Sequence, residues 1–208
     1  MADAVQIAQR RGNTNLLGTA QGNELNEQLV AQGLLPYTEL SRKGQGWGTM
    51  ATAAVAGLVV RPTVTAAYEI FNGYPLGGKS LLIDRIFTHC LVGIVAADSF
   101  VLWAGVASVK AAVASGSFVV RGHSGKAYGG PVICAAGTTV VDPGWFPWGI
   151  GGTASVGAAL PMSGCAVPVE GRLTVPPQCS LCLHVVSTTT ALTFCSGAQW
   201  FEEQLTLE

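Results

Sequence analysis

The stretch "GYPLGGKSLLIDRIFTHCLVG", residues 73–93, decides the fold. Its first eight letters fit G-x-x-x-x-G-K-[ST], the pattern of a loop that cradles phosphate between a strand and a helix. The remainder determines whether that helix exists. Leu82, Ile83, Ile86, Phe87, Cys90 and Leu91 recur at helical spacing, with Asp84, Arg85, Thr88 and His89 opposite, so periodicity permits one. The run 81–88 is equally a strand-length apolar segment. With a helix here the chain is an α/β nucleotide-binding protein. With a strand, Gly-Gly-Lys-Ser is a turn in an all-β protein.

The surroundings favour the strand. A P-loop fold buries a parallel sheet under helices with charged outer faces. Between Trp47 and Gln199 only 12 residues are charged, too few to coat such helices. Magnesium would want an apolar strand ending in Asp; "TTVVD", 138–142, comes nearest, but Pro143-Gly144 follows it as a turn. The expected reading is a turn in which Asn72-Gly73 and Gly77-Gly78 supply positive φ and Lys79 is solvated.

Working outward, composition changes near residue 45. Residues 1–44 are polar, with Asn23 placed to cap a short helix, Leu25 and Leu29 on one face, and Gly33 at its stop. One or two turns bury no core. They read as an N-terminal arm that orders by docking, and Leu25 and Leu29 are its candidate contacts. Residues 45–208 read as one domain of short strands: 55–60, 66–71, 81–88, 100–104, 117–121, 131–135, 172–175, 181–186, 192–194 and 199–203. Short strands separated by Gly, Pro and Ser turns indicate an all-β sandwich or barrel.

Charged residues are 11% of the 208 and apolar ones 49%. So little charge leaves two outlets, a membrane or burial against other proteins. A long charge-free run, 143–169, contains Pro147, Pro161 and Pro168 and cannot be a spanning helix. The N-terminus lacks the apolar core of a secretory signal. Basic residues are scattered, giving no stripe for nucleic acid. Assembly with other proteins is the expected outlet.

Three further groups carry potential chemistry. In "CSLCLH", Cys179, Cys182 and His184 could ligate zinc, but a structural site wants four ligands, and a strand turns Cys179 away from Cys182. Core thiols are expected instead, mostly free, with no metal or cofactor. Cys90 or Cys134 with a histidine and Asp84 could make a catalytic set, but nothing in the spacing positions one. In "DPGWFPWG", 142–149, Trp145, Phe146 and Trp148 crowd a Pro- and Gly-bounded loop, where they are candidate contact anchors or the plug of an open barrel end.

The ordered residues resemble a family. "YEIFNGYPLGGKSLLIDRIF", 68–87, and "VPPQCSLCLHVVSTTTALTFCSGAQWFEEQ", 175–204, are similar to small phage structural proteins. The likeness rests on the N-G turn at Asn72-Gly73, the step Gly77-Gly78-Lys79-Ser80, the strand Ile83-Asp84-Arg85, the L-x-L-H-V-V pattern at 181–186, and Trp200-Phe201-Glu202. It covers about 47–203, leaves the arm out and finds no counterpart for 149–164. It implies a jelly-roll β-sandwich, homotrimeric like jelly rolls of the tumour necrosis factor and C1q type. It also implies a non-enzymatic role on the virion surface, as a capsid cement or decoration protein whose partner is the major capsid protein. The alternatives are a tail- or head-fibre module, a lectin-like module stacking sugars on Trp145 and Trp148, and a P-loop enzyme.

Overall fold

The computed structural model describes residues 41, 43–92, 98–108, 118–153 and 164–205. The chain divides into two units, Met1–Glu39 and Leu40–Glu208, and the described residues all lie in the second. The arm contacts Leu25 and Leu29 fall outside them.

Among the described residues, eleven strands form two antiparallel sheets: β1 (Gly46–Met50), β2 (Val55–Ala56), β3 (Thr65–Phe71), β4 (Ser80–Val92), β5 (Asp98–Ala107), β6 (Arg121–Gly122), β7 (Ile133–Thr139), β8 (Phe146–Thr153), β9 (Gly164–Val175), β10 (Ser180–Ser187) and β11 (Thr193–Glu203). One sheet runs β6-β1-β11-β4-β9, with β2 also on β11, and the other runs β7-β3-β10-β5-β8. Without the short β2 and the edge strands β6 and β7, eight strands remain in the orders β1-β11-β4-β9 and β3-β10-β5-β8. That is the connectivity of a jelly roll. The protein is an all-β jelly-roll sandwich.

The deciding stretch is a strand. Ser80 opens β4, 13 residues long, so no helix receives the glycine loop. Its helix-like spacing has a physical cause. Leu81 and Ile83 face the core, then the ladder slips between Ile83 and Arg85, and Ile86, Thr88 and Cys90 face it again. Two period-2 runs joined by a β-bulge imitate a period near 3.6. On β9 the bulge turns through Glu170 and Gly171, both at positive φ, braced where Arg172 donates to the carbonyls of Val169 and Pro168, each at 3.0 Å.

The turn holds with different chemistry from that expected. Asn72, Gly73 and Gly78 have ordinary φ; only Gly77, at +79°, is left-handed. Gly73 is required for space, since a Cβ there would lie 2.2 Å from the Pro131 carbonyl oxygen. Asn72, fully buried, ties the connection together. Its Nδ2 donates to the carbonyls of Lys79 and Val175, each at 2.9 Å, and its Oδ1 accepts from the Tyr74 amide.

Several strand boundaries move. The segments 192–194 and 199–203 are one strand, β11, carried through a slip at Gln199/Trp200. The expected strands 55–60 and 117–121 shrink to β2 and β6, while 172–175 grows back to Gly164. β1 and β8 were not expected, because glycine disguises both. In β8 a Cβ at Gly149 would come within 2.4 Å of Val167, and one at Gly151 within 2.3 Å of the Phe100 ring. These glycines are strand residues that let a neighbour approach.

The core between the sheets centres on Trp200, Tyr68, Phe100, Ile70, Ile83 and Leu183, all essentially inaccessible. A smaller cluster of Ala66, Phe71, Ala107, Ala135, Val140, Trp145 and Cys182 packs separately. Accordingly every residue of β3 after Thr65 is buried.

Candidate functional site

The described residues bring their densest set of chemical groups to one cleft, where the β3–β4 and β6–β7 connections meet the start of β1 and the end of β11. It measures about 490 Å³ and is lined by Lys43, Gly44, Gln45, Trp47, Tyr74, Lys79, Lys126, Ala127, Tyr128, Gly129, Gly130 and Glu202.

Glu202 lies at its centre, 3% exposed. Trp200 and Glu202 sit two apart on β11 and share the face that packs inward, which brings the carboxylate to the end of the core. Tyr74 donates its hydroxyl to Oε2 at 2.8 Å, and Tyr128 donates to Oε1 at 2.7 Å. The Tyr128 oxygen also accepts the Val132 amide at 3.3 Å, and Trp47 packs edge-on to the Tyr128 ring. Lys79 Nζ stands 4.0 Å from Oε2 and 5.9 Å from the Tyr74 ring centre, with its side chain 41% exposed. Lys79 thus stands between an acid and a ring while much of its side chain still reaches solvent.

Both phenols are harder to ionise than a free tyrosine. Burial is the larger cause and the Glu202 hydrogen bond the next; Tyr74 is pushed up to about 12, and Tyr128 is raised as well. The neutral phenol is the form the fold favours, so this contribution is complete below the ordinary tyrosine value of 10.0 and is lost as pH rises through the folded value. The part of the stability owed to these phenols is expected to hold to about pH 10 and to fall between pH 10 and 12. Phenolate absorbance during an alkaline titration checks this. Glu202→Gln should move two of the transitions back toward 10, and an unmoved titration would contradict the hydrogen-bond assignment.

The aromatic trio separates. Phe146 and Trp148 belong to strand β8, and Trp145 precedes it, so the expected loop is corrected to a strand from Phe146 onward. Trp145 is 3% exposed and donates its indole N–H to the Thr63 carbonyl at 2.8 Å. It is thereby unable to stack a sugar. Trp148 is half-buried beneath the Arg172 guanidinium, 5.7 Å above its ring. Phe146, 68% exposed, is the one of the three available for contact.

The other groups do not converge. Cys182 belongs to the smaller cluster and Cys179 packs on the main core, so the two point to opposite faces as the strand geometry requires. All six cysteines are unpaired thiols. Burial pushes Cys90, Cys134, Cys165, Cys179, Cys182 and Cys195 up and His184 down. Among the described residues no three His, Cys, Asp or Glu side chains gather as metal ligands. His89 is exposed on β4 while the neighbouring Cys90 faces the core.

As residues of a site, Tyr74, Tyr128, Lys126 and Glu202 escaped the sequence reading. A signal existed for Glu202, an acid two residues beyond a core tryptophan in a strand. For Tyr74, Tyr128 and Lys126 it did not, because their meeting depends on where two long connections close. Compared with family models, curated proteins and solved structures, the chain matches none.

Proposed function

We propose that the protein is a non-enzymatic structural component of a virion: a capsid cement or decoration protein, homotrimeric, that binds the major capsid protein at the head surface. The observation that carries this reading is the surface. On a jelly roll with few charges, Leu76 is 83% exposed, Ile150 78%, Phe146 68%, Val60 66% and Val141 60%. Bulky apolar side chains left in water favour burial against another chain. The resemblance of the Gly-Gly-Lys-Ser turn and of the 175–204 segment to phage structural proteins supports it, and symmetric copies would multiply a modest contact energy.

Light scattering is expected to give three chain masses. Mixed with phage heads assembled without it, the protein should co-sediment. Removing residues 1–44 should weaken occupancy at least tenfold, about 1.4 kcal/mol, because such an arm gains order only by docking. Equal occupancy by the truncated chain removes the arm from the mechanism. A monomer that never co-sediments removes the proposal.

A further inference from the structure

We propose that the end cleft binds a small oxyanion-bearing ligand, a phosphate or carboxylate, through the ammonium groups of Lys79 and Lys126. This site is independent of whether copies assemble on a capsid.

Charge is the first support. Two of the lysines that line the cleft, Lys79 and Lys126, stand against a single lining acid, Glu202. That acid is already engaged, since each of its oxygens accepts a phenol and its residue is almost wholly buried. Lys79 stands at the 4.0 Å limit of an ion pair with it, and much of its side chain reaches solvent. Its donors are therefore not saturated by Glu202. Lys126 is exposed and has no ion-pair or hydrogen-bond partner for its ammonium among the described residues. An incoming anion would meet positive charge at the rim and phenol-capped carboxylate at the centre.

Preorganisation is the second. Each lysine is anchored through its own carbonyl: that of Lys79 accepts from Asn72 Nδ2 at 2.9 Å, and that of Lys126 from the Gly122 amide at 2.9 Å. The second bond closes a tight turn in which the Gly125 amide also donates to the Gly122 carbonyl at 2.8 Å. Both stems thus start from fixed points, which lowers the ordering cost of binding. Size is the third. A volume near 490 Å³ suits a molecule about as large as a sugar phosphate or a uronic acid. The lysine that gives the sequence its P-loop signature thus faces an anion site built from turns and strand ends.

The test is calorimetric titration of the full chain with inorganic phosphate, with glucuronate and with glucose, at ionic strength held constant with sodium chloride. Saturable binding of phosphate, glucuronate or both is expected, and which anion binds identifies the ligand's source. Lys126→Ala should weaken that binding about tenfold, the loss of one charge-assisted hydrogen bond. Lys126→Arg should keep most of it. Because Lys126 is exposed, neither change threatens the fold, and circular dichroism verifies this. The proposal is overturned if neither anion saturates, if glucose binds as tightly, or if Lys126→Ala binds like the original chain.

Discussion

Trp200→Ala is expected to cost about 4 kcal/mol of unfolding free energy, the largest effect of any single change we foresee. Trp200 heads the fully buried side chains and sits on β11, between β1 and β4 in the middle of its sheet. Truncation there leaves a cavity that rigid strands on both sides cannot close. Trp200→Phe should be far milder, about 1–2 kcal/mol. The indole N–H has no hydrogen-bond partner among the described residues, so exchanging it for a phenyl ring sacrifices volume but no bond there. Urea unfolding of the three proteins measures both differences. A loss below about 1 kcal/mol for the alanine variant would mean that the sheets repack around the gap.

Glu202→Ala is expected to cost about 3 kcal/mol, from two charge-assisted hydrogen bonds and two phenols left without an acceptor. The two bonds cross-link the β3–β4 connection, the β6–β7 connection and β11 across sequence separations of 128 and 74 residues. A double-mutant cycle separates this from simple burial. In a Tyr74→Phe, Tyr128→Phe background the same alanine change should cost no more than about 1 kcal/mol. An undiminished cost in that background would show that the carboxylate stabilises the end of the sandwich by some route other than the phenols.

How far the sequence exposes this design varies by element. β3 and β10 are legible because each is a Val-, Ile-, Leu- or aromatic-rich run of strand length between turn residues, and both emerge within a residue or two of expectation. β4 is readable only as an ambiguity, since its bulge converts strand alternation into helical spacing. β8 is hidden because Pro147, Gly149, Gly151 and Gly152 spell turn chemistry in isolation. Gly149 and Gly151 show their use as strand residues only once Val167 and the Phe100 ring press against them. The same limit hides the cleft. Lys79 stands out by its motif, but its neighbours Tyr128 and Lys126 are nearly fifty residues away, and no local pattern states that the connections meet.

The two strands that fill the middle of the sheets, β10 and β11, are also the last two in chain order. As a ribosome delivers the chain, β1 and β4 emerge with a gap between them that only β11 can occupy, and β3 and β5 wait likewise for β10. Until residue 180 appears, those strands present bare backbone donors and acceptors, and Tyr74 and Tyr128 have no carboxylate to bond. Such a chain can pair β3 with β7, β4 with β9 and β5 with β8 as they emerge. The halves of each sheet join only when β10 and β11 arrive, a late step dominated by distant contacts.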